Sequence, residues 1–132
     1  MILGPKEPAR LKIGDFHAGG IVFHLNDEGN HGLVASVEDQ SQSADWSGAI
    51  DLCSKFRGGD FEDWYLPSKK ELNWMYRMLH KERIGDFSRH FYWSSTEENK
   101  EEAWFQNFLC DYEFCGGLDK KALLHVRAVR AF

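Results

Sequence analysis

The sequence predicts an α+β fold with a mainly antiparallel sheet and two helices. Strand-like patterns occupy both ends of the 132-residue chain, and two amphipathic helical patterns lie between them. Strands that are grouped in this way, rather than alternating with helices, are typical of α+β proteins. The 12 glycines predict many tight turns, and the 14% aromatic content predicts a core filled by large side chains.

The composition predicts one globular domain and disfavours two classes of partner. A chain of this length with 42% hydrophobic residues can bury a single core. We therefore expect an extended lead-in over residues 1–12 and one domain over residues 13–132. The net charge of -5, without a lysine and arginine stripe, disfavours nucleic acid. No apolar run approaches eighteen residues, so no membrane span is expected.

The N-terminal strands form a predicted hairpin. Ile21–Leu25 is rich in β-branched and aromatic residues, which favour a strand. Asn26–Asn30 has turn chemistry, and Gly32–Val37 is the predicted return strand. Residues 1–10 contain no apolar core of a secretion signal. Display at a cell or virion surface would therefore need another component, or a signal that has been removed from this chain.

The first helix is predicted from Trp46 to Phe56, with Asp45 or Ser47 as its cap. Helical spacing places four residues on its buried face: Trp46, Ala49, Ile50 and Cys53. Cys53 is thus expected to be a buried thiol.

The second helix is predicted to start after Ser68, which forms a capping box with Glu71. The residues at helical spacing form its apolar stripe: Leu72, Met75, Tyr76 and Leu79. Core packing is the expected role of this stripe.

Three further strands are predicted towards the C-terminus: Phe91–Thr96, Ala103–Phe108 and Leu123–Ala131. Side chains alternate along a strand, so Trp104, Gln106 and Phe108 share one face, which we assign to the core. Phe105, Asn107 and Leu109 are then expected on the outer face. The loop Glu97–Glu102 is interpreted as a solvated acidic loop, since it lacks the Glu-Pro-Asn and Trp-Asn-Asp signatures of lectin calcium sites.

Several motifs together resemble the Lcl C-terminal domain family. They include Gly58-Gly59 followed by DWYLPSKKEL at residues 63–72, YWSSTE at residues 92–97 and VRAVR at residues 126–130. The opening Gly14-Asp15 and the segment AGGIVF at residues 18–23 fit the same family. The resemblance covers residues 13–132 and implies a fold similar to C-type lectins and formylglycine-generating enzymes. It also implies a bacterial or phage-encoded ligand-binding or adhesive module.

Two positions depart from the family pattern. Tyr65 stands where the family usually has arginine before Leu-Pro, which questions a buried ion pair. Asp111 stands where a glycine commonly follows the last strand phenylalanine by three residues. The loop after Phe108 is therefore expected to take its own course.

Some members of this fold class are diversified by retroelements that mutate template adenines. That process reaches a set of residue types from which Lys, Glu, Gln, Met and Trp are excluded. Under this hypothesis four positions would be fixed: Gln106, Glu113, Lys120 and Lys121. The alternative interpretation is an ordinary, non-diversified loop of the family. The positions of the permitted types form our predicted ligand-binding face: Phe105, Asn107, Leu109, Cys110, Asp111, Tyr112, Phe114, Cys115, Gly116, Gly117, Leu118, Asp119, Leu123, Leu124 and His125.

The chemistry of this face favours binding over catalysis. Large apolar side chains that are exposed together mark interaction sites, and Asp111, Asp119 and His125 would set polarity. We therefore expect a protein or other macromolecular surface ligand, no cofactor and no metal. The sequence does not predict the oligomeric state. A third hypothesis is a structural module without a ligand. It predicts that substitutions on this face change neither stability nor binding.

The competing function is a copper(I) thiol oxidase. Cys110 and Cys115, spaced as C-x4-C, resemble the cysteine pair of formylglycine-generating enzymes, and soft thiolates suit copper(I). The chain is short for such an enzyme and lacks the Arg-Gly-Gly-Ser stretch before the pair. A disulfide between the two cysteines is a further alternative.

Overall fold

The computed structural model describes residues 10–109 and 115–132, which form two β-sheets and two α-helices. The helices are α1 (Trp46–Lys55) and α2 (Lys69–Met78). The strands, in chain order, are β1 (Phe16–His17), β2 (Gly20–Leu25), β3 (Gly32–Ala35), β4 (Ser41–Ala44), β5 (Phe91–Glu97), β6 (Glu102–Asn107), β7 (Cys115–Asp119), β8 (Leu124–Val126) and β9 (Val129–Ala131).

The smaller sheet has the order β1-β2-β3-β9 and the larger one has the order β4-β8-β5-β6-β7. Every pairing is antiparallel except that of β5 with β8, which run parallel where Tyr92 faces His125. The predicted α+β class with a mainly antiparallel sheet is therefore confirmed.

The predicted N-terminal hairpin is confirmed as β2 and β3. β9 pairs with the other side of β3, so the two ends of the described chain lie in one sheet. A nearby loop contact depends on glycine: a Cβ on Gly59 would lie 2.9 Å from the Cα of Gly19, and Gly59 has a φ of 67°. That conformation and that close approach both favour glycine.

Helix α1 begins as predicted, because the Asp45 side chain accepts a hydrogen bond from the Gly48 amide at 2.8 Å. Ala49 and Cys53 are buried, but Ile50 is 39% exposed, so its assignment to the buried face was wrong. Burial raises the pKa of the Cys53 thiol to about 12.

The predicted capping box of Ser68 and Glu71 is confirmed at the start of α2, and so is the buried stripe that follows it. The hydroxyl of Tyr65 donates a 2.7 Å hydrogen bond to the second carboxylate oxygen of Glu71. Tyrosine at the position usually held by arginine therefore still supplies a donor to this helix start. Burial, followed by the Glu71 carboxylate, raises the pKa of Tyr65.

The pair β5 and β6 separates two hydrophobic clusters, so both of its faces are buried. Tyr92 and Phe108 belong to the cluster on the α2 side of this pair, which also contains Met75 of α2. Trp93 and Phe105 belong to the second cluster, on the other face. Phe105 is only 4% exposed and packs on Phe91 with ring centroids 4.6 Å apart. The prediction that it lies on the outer face was wrong, because alternation identifies shared faces and not which face is solvated.

The prediction of one strand from Leu123 to Ala131 was also wrong. This segment forms β8 in the larger sheet and β9 in the smaller sheet, and the chain changes sheets at Arg127 and Ala128. Arg130 donates to Asp63 at 2.7 Å through Nε, and this guanidinium lowers the pKa of the Asp63 carboxyl. The motif VRAVR thus joins the two sheets.

Candidate functional site

A surface groove of about 310 Å³ lies at one end of the strands of the larger sheet, where the starts of β5 and β8 and a residue of β4 approach the segment that follows β6. Four of its lining residues belong to the predicted face, and three others were not predicted. The predicted residues are Leu109, Leu123, Leu124 and His125; the others are Gln42, His90 and Phe91.

Two large apolar side chains at this groove are exposed to solvent. Leu109 is 46% exposed and Leu123 is 63% exposed. The Leu109 backbone is held on both sides: its amide donates to Asn107 Oδ1 at 2.7 Å, and its carbonyl accepts from Arg89 Nη2 at 2.8 Å. The side chain of Leu109 is thus presented outward from a fixed backbone.

Asn107 has a structural role in this arrangement. It is buried, and its Oδ1 atom accepts a hydrogen bond from the Leu109 amide. Leu124 is also buried and belongs to the core cluster around Trp93. Neither residue offers the exposed side chain that the predicted face requires.

His125 is held at the groove by a buried carboxylate. Asp39 Oδ2 lies 3.1 Å from His125 Nδ1, and the same carboxylate accepts from Tyr92 and from Arg127 Nε, the latter at 2.7 Å. The Asp39 carboxylate therefore fixes the orientation of the His125 ring through Nδ1. His90 stacks on this ring with centroids 4.6 Å apart.

His125 itself is largely buried, which corrects the expectation of an exposed residue. Its position follows from the parallel pairing of β8 with β5, which also brings His90 and Phe91 to the groove. No spacing in the sequence indicates this parallel contact. Phe91 was recognisable only as an apolar residue at the start of a strand, and Gln42 carried no signal.

The second part of the predicted face is β7, which forms the outer strand of the larger sheet beside β6. A loop was predicted here, whereas the structure pairs Cys115 with Gln106 and Asp119 with Glu102. Cys115 and Asp119 are exposed, and three half-buried residues lie between them: Gly116, Gly117 and Leu118. Leu118 packs against the core.

The remaining predicted positions lie outside the described residues. They are Cys110, Asp111, Tyr112 and Phe114. Cys115 is exposed and carries a free thiol. The copper(I) hypothesis, which needs Cys110 as well as Cys115, stays a prediction.

The acidic loop between β5 and β6 is organised by its own hydrogen bonds. Asn99 Oδ1 accepts from the amides of Glu101 and Glu102, both at 2.9 Å. Lys120 Nζ bonds Glu97 Oε2 at 2.9 Å. Within residues 10–109 and 115–132, no group of three or more His, Cys, Asp or Glu side chains is arranged to hold a metal ion.

The described residues thus define an α+β domain that carries a groove at one end of the strands of the larger sheet and an exposed edge strand. The model of the Lcl C-terminal domain family matches residues 25–130, about four fifths of the chain. The chain therefore belongs to the Lcl C-terminal domain family, as its motifs predicted. A search of curated proteins gave no match. None of the helices in the described part of the chain is long and apolar enough to cross a membrane.

Proposed function

We propose that this domain has a C-type-lectin-like fold and binds a protein or other macromolecular surface ligand. The binding face consists of the groove, the exposed residues of β7, and the positions 110–112 and 114 that join them in the sequence. Membership of the family supports a ligand-binding or adhesive role. Binding rather than catalysis is the proposed activity.

The observation that carries this proposal is the joint exposure of Leu109 and Leu123 at one groove. Burying an exposed leucine on a partner contributes about 1.5–3 kcal/mol. The Leu109 backbone is fixed by the side chains of Asn107 and Arg89, and Leu123 directly precedes β8, so little backbone ordering is needed on binding. Exposed aliphatic side chains that share one groove in this way are typical of protein-binding sites.

We further propose that retroelement mutagenesis diversifies the exposed positions of this face. Residue types that the process cannot reach have structural roles here: Gln106 is buried and Lys120 is paired with Glu97. Phe105, Asn107, Leu124 and His125 are of permitted types but buried. We assign them to the framework that supports the face.

The binding proposal is tested with a fluorescently labelled, tetramerised form of the domain and intact cells from the population in which the gene occurs. The variant L109S/L123S removes both apolar anchors and should lose at least about tenfold in apparent affinity, since each leucine contributes about 1.5–3 kcal/mol. The matched control is I13S/F16S. It replaces two exposed apolar residues near β1, remote in sequence from the groove. Equal binding by the two variants would contradict the proposal.

A further inference from the structure

A second cleft lies on the opposite face of β6 from the groove, beside the start of α2. It has a volume of about 240 Å³. Its lining residues come from α2, β6 and β7: Lys69, Lys70, Asn73, Gln106 and Cys115. None of them lines the groove at Leu109 and Leu123.

The side-chain amide of Gln106 is an unusual feature of this cleft. Gln106 is 2% exposed, and its Oε1 accepts a hydrogen bond from Asn73 Nδ2 at 3.3 Å. Its Nε2 is buried and makes no hydrogen bond with the described residues. Buried polar groups are nearly always paired, so an unpaired amide at a cleft indicates a missing acceptor.

The charges around the cleft indicate the kind of acceptor. Lys69 Nζ lies 3.4 Å from the ring centroid of Trp104, and Lys70 Nζ lies 5.1 Å from that of Trp74. Neither ammonium pairs with a carboxylate of the described residues. Both lysines are in the first turn of α2, where the helix dipole also favours negative charge. Two cations and one amide donor together fit a carboxylate.

We infer that this cleft binds a carboxylate group of the protein ligand, either an acidic side chain or a chain terminus. Nε2 is shielded from solvent in this structure, so contact with a carboxylate requires the terminal torsion of Gln106 to turn, which also exchanges the positions of Nε2 and Oε1 and gives up the hydrogen bond from Asn73. That torsion is soft in glutamine. The inference rests on the proposed function and adds to it the chemical group that is recognised. Lys69, Lys70 and Gln106 are residue types outside the diversified set, so these three donors would stay constant, whereas Cys115, which also lines the cleft, would vary.

The test uses nuclear magnetic resonance of the ¹⁵N-labelled chain titrated with acetate. The Nε2 signals of Gln106 are assigned by their absence in Gln106→Met, which keeps the buried volume and removes the amide. Acetate should shift these signals with saturation. The variant K69Q/K70Q should bind acetate about tenfold more weakly, since two ion pairs are lost. The control K55Q/K121Q removes two positive charges elsewhere and should bind like the original chain.

An unsaturated shift, or one that is equal in the two double variants, would overturn the inference. Backbone signals away from the cleft report whether each variant is folded, so a folding defect is not mistaken for lost binding. Two peptides then separate the sources of the carboxylate. One has blocked ends and an internal aspartate, and the other has a free C-terminus and no acidic side chain. The acetate result does not depend on diversification, so it can fail while the proposed function holds, or hold while that function fails.

Discussion

Arg127 fills part of the core although its side chain is charged. Its Nε donates to Asp39, and its Nη1 donates to the carbonyls of Ser36 at 2.9 Å and Gly85 at 2.8 Å. The guanidinium also packs 4.1 Å from the ring centroid of Phe87. A buried charge is tolerated when its hydrogen bonds are satisfied in this way. The same carboxylate that neutralises Arg127 orients His125, so the core and the groove share one polar group.

The thiols of Cys53 and Cys115 should differ sharply in reactivity. Cys53 is fully buried, and burial raises its pKa to about 12, so it stays protonated at neutral pH. Only the thiolate is a good nucleophile. Iodoacetamide at pH 8 followed by peptide mass spectrometry should label Cys115 in the folded chain and Cys53 only after denaturation. Labelling of Cys53 at the rate of Cys115 would contradict the burial of α1.

The packing of α2 on β6 matches the period of a helix with the side-chain alternation of a strand. Residues about one helical turn apart on α2 lie over alternate residues of β6 and its continuation. Lys69 lies on Trp104, Asn73 on Gln106, and Tyr76 on Phe108, which directly follows β6. The alternation predicted that Trp104, Gln106 and Phe108 share a face, and this is confirmed. The same reasoning failed at Phe105, because the second face is packed against residues of α1, of β2 and β3 in the smaller sheet, and of the segment around Trp64, which are distant in sequence.

The two tryptophans of the sheet should differ in their contribution to stability. Trp93 is fully buried and donates through Nε1 to the Ala44 carbonyl at 2.9 Å, so Trp93→Ala should cost about 3–5 kcal/mol. Trp104 is half-buried, with one face covered by Lys69, so Trp104→Ala should cost about half as much. Urea denaturation measures both differences. Equal losses would show that Trp104 is as deeply packed as Trp93.

At the scale of the whole molecule, local signals predicted the helices and the N-terminal hairpin. The cap at Asp45, the capping box at Ser68 and the turn chemistry of Asn26–Asn30 each act within a few residues. The split of the last segment into β8 and β9 could not be predicted in this way. It depends on Arg127 reaching Ser36 and Gly85, which lie 91 and 42 residues away in the sequence.

The candidate site was predictable to the same extent. Leu109 and Leu123 were identified because they are of permitted residue types, and because large apolar side chains that are exposed together mark interaction sites. The groove between them needed Phe91 and His90, which arrive through the parallel contact of β5 and β8. Residue types alone also could not separate the exposed positions from the buried Asn107, Leu124 and His125.

We propose that a fixed framework carries a diversified binding face. Deep sequencing of the 3′ end of the gene in its native population, beside any nearby template repeat, would reveal such diversity. Substitutions should arise only at template adenines. They should concentrate at the exposed positions of the face, which include Leu109, Cys115, Asp119 and Leu123, and leave Gln106 and the VRAVR motif unchanged. A uniform sequence across residues 105–125 would contradict diversification and indicate an ordinary member of the family.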